Sequence, residues 1–202
     1  MGSVIIRQLG DAGGPVSNRV EAELDNLVAW VRAMPRNIWR DVSVVNSSGV
    51  GPDVLHTFTL PANSLETNGD YLTVWYGGKF AINDRDKSVQ AQFDGQDYEA
   101  PGVTDIDTGT GWVIAARIAR LSSTSVRVSN FTLENALGID STGTLPTSYG
   151  TGGNMFCRNN DLTGIANLNS NTVVMRVRSV VAAGAAAADV VQNMSIIELT
   201  QQ

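Results

Sequence analysis

A mainly β fold, an antiparallel jelly-roll-like sandwich with one short N-terminal oligomerising helix, is predicted by three features of this sequence. Apolar runs of strand length recur from Ile38 onward. Clusters of Gly, Pro and Asn separate those runs, with no helical pattern between them. One stretch, residues 18–34, instead carries its apolar residues at helical spacing.

The 202 residues suffice for one large domain with a short appendage, burying about 70% of the unfolded surface. With 43% hydrophobic and 17% charged residues, the chain is too apolar for a disordered one. Its net charge of −6 lacks the positive field that phosphate backbones require, so no nucleic-acid partner is expected. Cys157 is the sole cysteine and His56 the sole histidine. That excludes a disulfide framework, multi-cysteine or multi-histidine metal sites and a two-histidine relay; no metal and no cofactor are expected. Met1 to Gly10 holds no signal-peptide core, and the weakly polar stretch 180–191 is too short to span a bilayer. Membrane insertion is therefore not expected.

Residues 1–17 hold a short apolar run, Val4, Ile5 and Ile6, followed by the breakers Gly10, Gly13, Gly14 and Pro15. They read as an N-terminal docking arm or a disordered terminus. The stalk segment 18–36 follows. Asn18 is placed to cap its helix with Glu21 three residues on, and Pro35 ends it. Val20, Leu24, Leu27, Val31 and Met34 alternate spacings of four and three, a heptad seam of just over two repeats. Too short for an independent coiled coil, such a stripe suits an amphipathic helix lying on a domain or a collar clamped by an oligomeric head.

The head, 38–202, has candidate strands at 38–46, 55–60, 71–76, 79–82, 88–93, 112–121, 125–133, 155–158, 172–180 and 190–200. Asn68-Gly69, Gly77-Gly78, Asp94-Gly95 and Pro101-Gly102 are among the turn signals between them. Two strands are apolar on both faces. Tyr71, Thr73 and Trp75 oppose Leu72, Val74 and Tyr76. Trp112, Ile114, Ala116 and Ile118 oppose Val113, Ala115, Ala119 and Leu121, a row interrupted by Arg117. A half-solvated strand alternates apolar with polar, so one face is expected on the core and the other on a second subunit. Trp75 and Trp112 accordingly join Val20, Leu24, Leu27, Val31 and Met34 as expected oligomerisation residues.

Few residues suggest chemistry. Asp107-Thr108-Gly109 matches a short aspartic-protease signature, which would need a second carboxylate from a partner chain; a plain Gly-rich turn is the better reading. Asp84 with Asp86, and Asp105 with Asp107, have the spacing of calcium ligands without the full loop. His56 reads as a satisfied polar or pH-sensitive group, and Cys157 as a small buried apolar residue. Tyr71, Trp75, Tyr76 and Phe80 read as packing residues, whereas Tyr98 and Tyr149, expected in loops, are the candidate ligand-binding residues. Arg176 and Arg178 share a strand face opposite Val173, Met175 and Val177, where they would grip an acidic partner or form a solvated edge. No Gly-x-Ser-x-Gly elbow, Walker loop or dinucleotide fingerprint is present.

Residues 57–95 hold Leu60-Pro61-Ala62-Asn63-Ser64-Leu65, Asn68-Gly69-Asp70, the aromatic strand from Tyr71 to Gly77, the Asn83-to-Asp86 loop, Lys87 and Phe93-Asp94-Gly95. In that order and spacing they resemble a segment of bacteriophage tail-fibre and minor virion structural proteins. Residues 111–120, a Trp-led apolar strand with Arg120 at its end, look like the family's next strand. The resemblance implies a homotrimeric jelly-roll-like head on a phage surface fibre, located on the virion, and no catalytic residue. The almost absent shaft fits a short fibre or spike, or a capsid decoration (head fibre or cement) protein. The expected partners are two further copies of the chain, other virion proteins met through the arm, and host-surface receptor or glycan. A lectin module stays open, as does a carbohydrate-active enzyme using acids among Asp94, Asp97, Glu99, Asp105 and Asp107, which would have to stand about 5–9.5 Å apart.

Overall fold

The computed structural model describes residues 16–49, 51–81, 83, 85–100, 102–103, 110–134, 155–181 and 188–202, except for the side chains of 16–21, 102–103, 110, 134 and 155–156. Helix α1 (Val16–Ala33) begins two residues before Asn18, which therefore lies in the first turn rather than at the cap. Its last turn closes through Met34 N donating to Val31 O at 3.3 Å, and Pro35 has no N–H with which to continue. Every described side chain from 22 to 37 is exposed, so the helix stands off the head instead of lying on it.

The strands form two antiparallel sheets. One contains β1 (Arg36–Asp41), β2 (Val45–Asn46), β4 (Tyr71–Phe80), β8 (Thr110–Ser122), β9 (Ser125–Glu134), β10 (Met155–Thr163) and β12 (Val190–Thr200), in the order β1-β12-β4-β8-β9-β10 with β2 also on β12. The other contains β3 (Gly51–Thr59), β5 (Lys87–Phe93), β6 (Gln96–Glu99), β7 (Gly102–Val103) and β11 (Val174–Val181), in the order β3-β11-β5-β6 with β7 also on β5. The expected antiparallel sandwich is thus present.

One core joins the two sheets. Leu72, Val74 and Tyr76 of β4, Trp112, Ile114 and Ile118 of β8, and Val126 and Val128 of β9 pack into the same cluster as Phe58, Phe93, Met175 and Val177 from the other sheet. Removing each large side chain from water stabilises the fold by roughly 1.5–3 kcal/mol before entropy is counted.

Three local features differ from a reading by spacing alone. Gly77-Gly78 is no turn; both glycines lie inside β4, where β8 and β12 press closely. A β-carbon on Gly78 would stand 1.9 Å from Val191 O and 2.6 Å from the Trp112 ring. The Asn68-Gly69 turn, although Gly69 has φ +99°, closes no hairpin, because β3 and β4 belong to opposite sheets. Strand β6 was not foreseen; it is short and polar, and pairs with β5 through Asp94 (φ 50°) and Gly95 (φ 79°), whose positive φ values make a tight hairpin.

The residues of the turns at 60–65 and 68–70 converge with Arg120 on one corner. Gly69 N donates to Arg120 O at 3.0 Å and Arg120 N to Asp70 O at 2.9 Å. The Arg120 guanidinium donates to Leu65 O and, at 2.6 Å, to Asn169 Oδ1. Gln201 Nε2 donates to Asn63 O and Ser64 O at 3.0 and 3.1 Å, while its Oε1 accepts from Arg36 at 2.7 Å. Gln201 N also donates to Arg32 O at 3.2 Å, tying the base of α1 to this corner. These hydrogen bonds join the two turns to β8, to Gln201 just past β12 and to the base of α1.

Candidate functional site

Register places a continuous surface on the outer face of the seven-stranded sheet. One row runs Arg40, Ile196, Trp75, Ala115, Phe131 and Cys157 across β1, β12, β4, β8, β9 and β10. The next row runs Glu198, Thr73, Arg117, Ser129 and Asn159. A depression of about 540 Å³ opens where the rows meet, lined by Tyr71, Thr73, Ala115, Arg117, Ser129, Phe131, Cys157 and Asn159 among others. Neighbouring strands lie about 4.8 Å apart, so the Trp75 and Phe131 backbones flank the small Ala115 at about 10 Å from one another. Trp75, Ala115 and Phe131 thus form an apolar row beside a polar strip, with Trp75 bordering the depression rather than lining it.

Trp75 is 41% exposed on this face. The Arg117 guanidinium lies 3.6 Å from the centroid of the Tyr71 ring, and no carboxylate pairs with it among the described residues. A stacked guanidinium keeps its N–H edge free for a planar acceptor. At the rim, Arg127 holds Asp161 through two hydrogen bonds of 2.8 and 2.9 Å, which keep that carboxyl below its ordinary range.

The expected site residues are dispersed. Leu24, Leu27 and Val31 are exposed along α1 and Met34 just past its end; Val20 lies in the helix, its side chain beyond the described set. Trp112 does not face a partner: its indole is fully buried in this chain's own core, 6.4 Å from the ring of Phe80. A strand apolar on both faces cannot announce which face meets the opposing sheet. Tyr98 is likewise corrected, buried on β6 with its hydroxyl near that of Tyr76; burial pushes both phenols well above their ordinary pKa. Tyr149, Val4, Ile5, Ile6, Asp84, Asp105 and Asp107 lie outside the described residues. Cys157 is exposed, contrary to expectation, because β10 turns it to the outer face. Arg176 and Arg178 point outward from β11 while Met175 and Val177 are buried, as their alternation indicated.

Of the acids considered for a carbohydrate-active enzyme, the described ones, Asp94, Asp97 and Glu99, are engaged within the fold. Asp94 accepts from Ala166 N at 2.6 Å and Asp97 from Gln92 Nε2 at 2.7 Å. Glu99 is buried, accepting from Asn130 Nδ2 and Ala100 N, with the Arg158 guanidinium 3.8 Å away. His56 and Ser195 form a buried pair, Oγ to Nε2 3.1 Å, beside Trp39 and Tyr76. Burial lowers the His56 pKa despite the attraction of Asp41, whose carboxylate is held by Ser43 N at 2.8 Å. A serine–histidine pair shut inside the core offers a substrate no approach. Among the described residues no cluster of acids, His and Cys could hold a metal ion, and no helix is long and apolar enough to cross a membrane.

Sequence reasoning missed the outer-face depression. Its one signal was Arg117, the charge breaking an apolar row; Ser129, Phe131 and Asn159 join it only through strand pairing.

The sequence matches no family model and no curated protein. Among solved structures, the CBM2 module of Lactobacillus casei BL23 phage J-1 evolved Dit is similar at 9% identity and a TM-score of 0.34, over 83% of this chain and 97% of that one. Similarity at that level carries no argument.

Proposed function

We propose that this chain is a non-enzymatic bacteriophage virion protein, a short trimeric fibre or spike on the particle surface that engages host-surface glycan. The chain then divides into a docking arm (1–17) that meets other virion proteins, a stalk (18–36) and a head (38–202). The observation that carries this proposal is the open seam of α1. Leu24, Leu27, Val31 and Met34 are 53%, 46%, 51% and 40% exposed, with Val28 and Trp30 widening the same apolar stripe. An 18-residue helix is marginal alone in water. One that stands off its own head with five large apolar side chains in solvent, and Met34 just past its end, is stabilised by other copies of itself. The trimeric state and the phage setting rest on the likeness of residues 57–95 and 111–120 to phage virion proteins.

The glycan half of the proposal is supported by the outer face of the seven-stranded sheet, where aromatic and hydrogen-bonding residues adjoin in a shallow depression. A capsid decoration protein, stabilising the particle without a receptor site, is the second reading; the short stalk favours it. A glycan array probed with the full chain separates the two. Binding to a subset of saccharides is the expected result, whereas a blank array removes the receptor role and leaves decoration.

A further inference from the structure

Resting on that glycan-binding proposal, the geometry points to an acidic saccharide as the ligand: we infer that a uronate-bearing sugar sits in the outer-face depression, its carboxylate on Arg117 and its ring over Ala115 and Phe131, with Trp75 bordering the depression next to Ala115.

Charge argues for this occupant first. Arg117 is held in place by its stack on Tyr71, yet its donors meet no acceptor among the described residues. Four cations, Arg40, Lys79, Arg117 and Arg127, stand on the described strands of this face against two carboxylates, Asp161 and Glu198, in a chain whose net charge is −6. Among the described strand residues, this face thus carries more cations than carboxylates, and of the four cations Arg117 lines the depression itself. A planar carboxylate matches the guanidinium fork, two parallel N–H···O bonds that a hydroxyl cannot reproduce.

Shape and chemistry agree. A pyranose ring presents an apolar C–H face and a rim of hydroxyls. Trp75 and Phe131 offer the surface for the first, with Ala115 as a low floor, and Ser129 and Asn159 stand in the adjoining row for the second. A second copy of the chain fits less well. Covering Arg117 with apolar surface of another subunit would strand a desolvated cation.

The test is calorimetric titration of the full chain with trigalacturonate and trimannuronate, each beside its neutral trisaccharide. At least one acidic trisaccharide is expected to bind about tenfold more tightly than its neutral counterpart, with affinity falling as salt rises. Arg117→Gln should weaken acidic binding about tenfold and Arg117→Lys should restore it only in part, since a charged hydrogen-bonded contact is lost. Trp75→Ala should weaken both classes. Val54→Ala, exposed on the opposite sheet, should change neither. Equal affinity for acidic and neutral sugars, or an Arg117→Gln chain that binds like the wild type, overturns the acidic assignment while the glycan proposal stands. Neutral saccharides alone lighting the array do the same, whereas a blank array removes the glycan proposal itself. Trp75 shielded from acrylamide in the unliganded oligomer would instead make this face a subunit interface and overturn the inference.

Discussion

Gly78 faces Trp112 across the β4–β8 pair so closely that a β-carbon would stand 2.6 Å from the indole, and 1.9 Å from the Val191 carbonyl on the other side. The indole fills the space that a side chain would occupy, and backbone cannot yield there. Gly78→Ala should therefore destabilise the sandwich by about 3 kcal/mol or prevent folding. Gly49 is the control: a β-carbon there meets nothing within 4 Å, so Gly49→Ala should be neutral or slightly stabilising. Thermal melts of the two variants check this.

Asp70 anchors the corner built by the turns at 60–65 and 68–70. Its buried carboxylate accepts from Thr67 N at 2.7 Å, Thr67 Oγ1 at 2.9 Å and Gln202 N at 2.8 Å. Replacing it with Ala leaves three donors without their acceptor. Asp70→Ala should cost about 2–4 kcal/mol in denaturant unfolding, and Asp70→Asn appreciably less.

The single histidine sets a pH dependence. His56 is buried, and burial holds its pKa below the ordinary 6.5 while Asp41 pulls weakly the other way. The unfolded chain takes up this proton near 6.5, before the folded chain does. Stability is therefore complete above that pH and declines as pH falls through it toward the lowered folded value. Asp41, Asp53 and Asp161, whose pKa values are lowered from 3.8, contribute stability above that value and lose it only at more acidic pH. Melting temperature between pH 8 and 5 should fall for the wild type and stay flatter for His56→Gln.

Cys157 reports on the outer face. It is exposed beside Phe131, so a thiol reagent should modify it in the native protein at a rate close to that of the unfolded chain. A bulky maleimide there should block saccharide binding without lowering the melting temperature.

The sandwich was legible because alternation and turn residues act locally. Leu72, Val74 and Tyr76 could be set on one face of their strand from spacing alone, and that face is the core. What spacing could not show is what each face meets. Trp112 was assigned outward and lies fully inside, while Gly77-Gly78 looked like a turn because close packing against β12 and an indole leaves no mark in local sequence. Tyr98 was misjudged for a related reason: β6 is short and polar, and only its pairing with β5 carries the tyrosine inward. The depression was hidden most completely. Its residues come from β4, β8, β9 and β10, and long-range register alone brings them together.

The most direct test is the solution mass of the full chain by light scattering, alongside a Leu24→Asp, Leu27→Asp, Val31→Asp variant. A mass close to three times 21.5 kDa for the wild type, falling when the seam carries charge, is the expected result. A wild-type monomer would contradict the oligomeric stalk, and with it the proposal that this chain is a virion fibre or spike.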